Sequence, residues 1–303
     1  MRVTPEETEL ASGQATRADV DVTYFFGGGV ADARVEWRVL SAPYRFEPEQ
    51  FGRYDFTDDD DPWICFWCWW REPPRPEPIL SGSGTTDDEG QLGIELPTDV
   101  MTGGQSLTIE ATAYGKDGQA ISGREEVVVH RGDFYVGLAS QQRVGEAGEA
   151  MTVDVVTVDW EGQRVPDQEL DVEVYRREWV NTFVENERGG GRWEWETEDT
   201  LVYTDTINTD GRAEGEVTFT PEEGGSYKVS VSGRDARERL VRSSTWVWVS
   251  SAEDVSWRRE NNDRFDLISD KGTYVPGETA EILIPSPFEG EQWAWITVER
   301  GDV

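Results

Sequence analysis

Thr86-Asp-Asp-Glu-Gly-Gln-Leu-Gly-Ile-Glu-Leu-Pro97 and Asn208-Thr-Asp-Gly-Arg-Ala-Glu-Gly-Glu-Val-Thr-Phe-Thr-Pro221 are two versions of one phrase. In each, a Thr-Asp turn ending in glycine feeds a strand of alternating character that stops at proline. Glycine accepts the positive φ that tight turns require, and a period of two marks a strand with one buried face. Asp87 and Asp210 correspond, 123 residues apart. Upstream, Gly13 through Val39 matches Gly148 through Val174, with Trp37 in the place of Val172. The chain repeats itself.

Each copy holds about seven short strands bounded by Gly, Pro and Asp turns. In the first copy these are marked by Val20 and Val22, Val35 and Val39, Leu92 and Ile94, Leu107 and Ile109, and Val127 through His130. In the second they are marked by Val153 and Val155, Val172 and Val174, Val217 and Phe219, Tyr227 and Val229, and Trp246 through Val249. No segment sustains a 3.6-residue period, so essentially no helix is predicted. The expected fold is all-β: tandem antiparallel sandwiches of the immunoglobulin/fibronectin type III sort. The predicted units are residues 1–131, with a hairpin insertion at 41–79, and 132–250, with a polar insertion at 179–200. Residues 251–303 begin a third. In that last segment Ala280, Ile282 and Ile284 read as one strand, and Trp293, Trp295 and Thr297 as its hairpin partner. With few strands to bury them, Ile282, Ile284, Phe288, Trp293, Trp295 and Ile296 are expected to be more exposed than Val153, Val155, Val172 and Val229.

The 303 residues carry a net charge of −34. Such a surface repels phosphates and anionic headgroups, which excludes nucleic acid and an anionic membrane as partners. No apolar run follows Met1, and no stretch of 18 apolar residues occurs anywhere. Membrane association is therefore expected only through an anchor outside this chain.

The sequence offers little chemistry. A single histidine, His130, closes a Val-Val-Val strand and reads as a boundary residue rather than a base or ligand. No nucleophile motif, phosphate loop or dinucleotide fingerprint occurs, so no enzyme and no cofactor is expected. Cys65 and Cys68, in Trp63-Ile-Cys-Phe-Trp-Cys-Trp-Trp70, have the spacing of a redox or metal pair. Neither a helix nor a second cysteine pair follows, and residues three apart on a strand point to opposite faces. They read as small buried residues, with a local disulfide as the alternative. Trp63, Trp67 and Trp69 read as core aromatics rather than a sugar platform. The run Asp58–Asp61 reads as the solvated acidic tip of the 41–79 hairpin rather than a calcium site.

The C-terminal segment carries a resemblance. Asp266-Leu-Ile-Ser-Asp-Lys271, Tyr274-Val-Pro-Gly-Glu-Thr-Ala280, Pro285-Ser-Pro-Phe-Glu-Gly290 and Thr297-Val-Glu-Arg300 look like bacterial alpha-2-macroglobulins. In that family the pattern opens the macroglobulin-type domain that later carries the protease bait region. The resemblance implies seven-stranded macroglobulin sandwiches and a broad-range endopeptidase inhibitor that collapses around a protease after bait cleavage. It also implies an export signal upstream and an extracellular, cell-surface or periplasmic location. The implied partners are neighbouring macroglobulin domains and, through the full-length protein, proteases. The family's thioester comes from a Cys-x-Glu-Gln motif, which follows neither Cys65 nor Cys68. A scaffold segment is therefore expected. Two rivals share the strand pattern: an adhesin or stalk of fibronectin-like repeats, and a carbohydrate-binding module of a secreted hydrolase.

Overall fold

Ala18 and Val20 turn inward from one strand, and Leu107, Ile109, Ala111 and Ala113 from another, as their alternate spacing demands. The computed structural model describes residues 1–61, 75–99, 103–115, 118–185, 191–252, 255, 257, 267–286 and 293–297, the side chains of residues 185, 193 and 195 excepted. Cys65, Cys68, Trp63, Trp67, Trp69 and Phe288 lie outside the described residues.

Eight strands come first: β1 (Arg2–Pro5), β2 (Glu9–Ala11), β3 (Arg17–Asp21), β4 (Arg34–Tyr44), β5 (Glu77–Thr85), β6 (Gln91–Glu95), β7 (Gly104–Tyr114) and β8 (Ala120–His130). They form a three-stranded sheet, β1-β3-β6, and a five-stranded sheet, β2-β8-β7-β4-β5. Val3, Val20 and Ile94 of the first sheet meet Val35, Val39, Leu107, Ile109 and Val127 of the second. Each such side chain contributes about 1.5–3 kcal/mol by leaving water. Pro78 falls near the end of the β4–β5 ladder and Pro43 near the end of the β4–β7 ladder, where a missing N–H costs least. Among the described residues the helical structure is one 3-10 turn, Glu49–Phe51.

Eight more strands follow: β9 (Tyr135–Ser140), β10 (Val144–Glu146), β11 (Met151–Val158), β12 (Glu169–Glu185), β13 (Gly191–Asn208), β14 (Glu214–Phe219), β15 (Gly225–Arg234) and β16 (Leu240–Ser250). Their sheets, β9-β11-β14 and β10-β16-β15-β12-β13, repeat the first arrangement strand for strand. Val3 pairs with Val20, and Leu138 with Val155, an offset of 135 residues. Leu92 opposes Val20 and Gly215 opposes Val155, where the offset is 123. Ile109 opposes Val39 and Val229 opposes Val174, where it is 120. Even the β-bulge is copied, after Val39 in one and after Val174 in the other. The Thr-Asp turns act alike: Thr86 Oγ1 accepts from the Ala33 amide at 2.9 Å, and Thr209 Oγ1 from the Gln168 amide at 2.9 Å.

The insertion at 179–200 is a strand-paired hairpin: β12 and β13 stay paired from Glu169↔Asn208 to Glu185↔Gly191. Past Arg177, where β15 ends its pairing, the two strands form a projecting ribbon. Val180, Thr182 and Val184 supply β-branched residues there, which the surrounding Glu and Arg disguise. In the C-terminal segment the pairing is not between 280–284 and 293–297. Instead β17 (Ile268–Ser269) pairs with β18 (Ile282–Leu283), and residues 293–297 lie in no strand. Ile268 reaches the outer face of β16, packing with Trp246 and Trp248, while Trp293 and Trp295 remain exposed.

Candidate functional site

β4 ends at Tyr44, and the chain then leaves the first sandwich. Residues 45–61 cross to the second as a strap, in three steps. The first is aromatic. Phe46 stacks on Tyr135 with ring centroids 4.0 Å apart and meets Phe56 edge-on at 5.2 Å. Phe46, Phe51 and Phe56 are buried with Val156 and Val158 of β11. Phe56 fits because residue 137 is glycine, where a Cβ would come within 2.6 Å of the Phe56 ring.

The second step uses backbone. Asp55 pairs with Leu138 on the open edge of β9, exchanging N–H···O bonds of 2.8 and 2.9 Å. Two residues on, the Thr57 carbonyl accepts from the Ser244 amide of β16 at 2.8 Å. The strap thus ties both sheets of the second sandwich and covers an edge that would otherwise invite pairing.

The third step is ionic and overturns the expectation of a solvated acidic tip. Asp58 is 2% exposed. It accepts from Arg242 at 2.8 Å and from Arg131 at 3.1 Å. The Asp59 amide donates to Ser244 Oγ at 2.7 Å, and its carboxylate lies 3.8 Å from Arg177. Asp60, at the rim, takes Lys228 at 2.7 Å and Arg242 at 2.8 Å. Four consecutive carboxylates are tolerable here because Arg177, Lys228 and Arg242 project from one outer sheet face onto them.

Titration reflects this placement. Burial raises the Asp61 carboxyl to about 6, although Arg131 opposes it. Burial also raises Asp59, against Arg177. Burial alone would raise Asp60 as well, but Lys228 and Arg242 outweigh it and hold the group low. His130 lies at the junction itself, with Nδ1 2.7 Å from the Tyr135 phenol and its ring stacked on Trp160 at 4.7 Å. Burial lowers it to about 4, so the imidazole is neutral at pH 7. Arg239 completes the contact, donating to the Ser12 carbonyl at 3.0 Å, to Asp133, and to Asp235 at 2.7 Å.

This geometry is adhesive. The cavity lined by Tyr44, Asp58, Asp61, Arg131, Tyr135 and Arg242 measures about 30 Å³. That is room for a water, not a substrate. Among the described residues no group of three or more His, Cys, Asp or Glu could hold a metal ion, and no helix is long and apolar enough to cross a membrane. Sequence reasoning missed the basic socket. Its signal is Trp246-Val-Trp-Val249, where tryptophans alternate with core valines and so require cover on the outer face as well.

A family described as bacterial macroglobulin domain 6 matches residues 137–249. An alpha-2-macroglobulin homolog of Nostoc sp. is 24% identical over 284 residues, covering 89% of this chain and 14% of the relative. Alpha-2-macroglobulin of Escherichia coli is 24% identical over 172 residues, covering 56% of this chain and 10% of the relative. The native cryo-EM structure of E. coli alpha-2-macroglobulin superposes with a TM-score of 0.55 at 19% identity, covering 92% of this chain and 18% of that one. Salmonella alpha-2-macroglobulin reacted with methylamine gives 0.53 at 17% identity, over 92% and 18%. The chain thus spans a small part of the length of these relatives. With its paired, register-matched sandwiches, the chain is similar to bacterial alpha-2-macroglobulins over most of its length, and residues 137–249 match their macroglobulin domain 6.

Proposed function

We propose that this chain is a scaffold segment of an alpha-2-macroglobulin-like endopeptidase inhibitor, with no catalytic role. Residues 1–131 and 132–250 are two macroglobulin sandwiches, and 251–303 open a third. The strap carries this reading. Aromatic, backbone and ionic contacts along residues 45–61 join two sandwiches into one body, which suits a wall that must keep its shape while other parts move. Proteases are the partners of the whole protein, whose bait and reactive elements lie outside these residues. The protein works outside the cytoplasm: extracellular, at the cell surface or in the periplasm.

The test compares the intact protein with the 303-residue chain, each mixed with trypsin and resolved by size exclusion. The intact protein is expected to be cleaved and to co-elute with the protease, and the chain to do neither. Stoichiometric inhibition of trypsin by the chain alone would contradict the reading.

A further inference from the structure

The hairpin tip after β11 is an anchor. Asp159-Trp-Glu-Gly-Gln163 closes on a bridge between Val158 and Arg164, and Trp160 at its tip stacks on His130, the last residue of β8. The tip after β3 is the same object, 135 residues earlier. Tyr24-Phe-Phe-Gly-Gly28 closes on a bridge between Thr23 and Gly29. The Tyr24 amide donates to the Gly28 carbonyl at 3.0 Å, as the Asp159 amide does to Gln163 at 2.8 Å. The Gly27 amide returns to Tyr24 at 3.0 Å, as Gly162 returns to Asp159 at 3.0 Å. Both glycines hold the positive φ this turn needs, 94° and 77°.

Phe25 therefore stands where Trp160 stands, but its fate differs. Phe25 is fully exposed and Phe26 nearly so. Tyr24 and Phe26 stack with centroids 5.6 Å apart and planes 4° off parallel, leaving Phe25 projecting alone. A pre-stacked aromatic tip in water is an unpartnered contact surface. The other half of the junction is not copied. The positions equivalent to Arg177, Lys228 and Arg242 are Ala42, Thr108 and Ser122, so these three basic residues are not repeated in the first sandwich.

We infer that Phe25 is a docking hook for another β-sandwich unit of the same type, seated against the end of that unit's last strand as Trp160 is seated on His130. The contact is apolar, made by the Tyr24–Phe26 tip alone, without a salt-bridged strap. The inference rests on the proposed reading of the chain as part of a row of macroglobulin units.

Hydrogen exchange on the intact protein and on the 303-residue chain tests it, with Phe25→Ser and Trp160→Ser variants of both. Amides 23–29 are expected to exchange at least about tenfold more slowly in the intact protein. Phe25→Ser should abolish that protection and leave the 303-residue chain unchanged. Trp160→Ser should loosen 159–163 in both, which tests the row independently of the hook. Equal exchange at 23–29 in both proteins, or protection that survives Phe25→Ser, overturns the inference. Trypsin capture by the intact Phe25→Ser protein reports separately on the inhibitor reading.

Discussion

Asp58 and Arg242 lie 184 residues apart in sequence and meet at 2.8 Å, with the carboxylate removed from solvent. The bond joins a strap rooted in the first sandwich to the outer face of the second. Asp58 also accepts from Arg131, at the junction, so it sits where the connecting chain, the strap and the sheet converge.

Removing Arg242 leaves Asp58 and Asp60 short of a cation in a partly dry site. Arg242→Ala is expected to cost about 2–3 kcal/mol, part of the deficit being met by Arg131 and Lys228. Asp58→Ala together with Arg242→Ala should cost less than the two single changes added. Urea unfolding of the four proteins gives the coupling, and strict additivity would show that the pair does not interact.

The junction's pH response has two opposed parts. His130 titrates at about 4 in the fold against 6.5 when unfolded, so its contribution is complete above pH 6.5 and lost as pH falls toward 4. Asp61 is raised from 3.8 to about 6, so it favours folding below 3.8 and loses that contribution as pH rises through 6. His130→Phe should therefore reduce the loss of stability between pH 7 and pH 4. Asp61→Asn should raise stability at pH 7 and enlarge that loss. Thermal melts across this range read both signs.

Gly137 and Phe56 form a close-packed pair. A Cβ at 137 would lie 2.6 Å from the Phe56 ring and 2.8 Å from Val156. Gly137→Ala is expected to destabilise by about 1–3 kcal/mol through overpacking. Phe56→Ala should cost about 3–5 kcal/mol through the cavity it leaves. The double variant should recover part of the Gly137→Ala loss, since the ring that clashes is gone. Limited proteolysis within residues 45–61 reports strap release in each case.

Trp293 and Trp295 are 104% and 92% exposed, whereas Val153 and Val155 are fully buried. Two bare indoles two residues apart favour association. Light scattering of the 303-residue chain is expected to show oligomers, and Trp293→Ser with Trp295→Ser to reduce them. A monomer at all concentrations would contradict this.

The repeat was legible because turns and alternation are local. Asp87, Asp210 and the glycines beside them announce their turns, and the inward valines announce their faces. The 179–200 insertion was legible as a polar segment, but the length of its strands was not, because a two-stranded projection has two wet faces and no apolar periodicity. The strap was hidden for another reason. Asp58–Asp61 is locally identical to a solvated loop, and its partners Lys228 and Arg242 lie 168 and 184 residues downstream of Asp60 and Asp58. What could have exposed the socket is β16, where Trp246 and Trp248 face outward while Val247 and Val249 fill the core.

The strap is expected to make the two sandwiches unfold as one body. Scanning calorimetry tests it on the 303-residue chain and on a variant carrying Arg177→Ala, Lys228→Thr and Arg242→Ser, the residues that occupy the equivalent positions of the first sandwich. A single cooperative transition is expected for the unaltered chain, and two separated transitions for the variant. Two independent transitions in the unaltered chain, or an unchanged single transition in the variant, would contradict the claim.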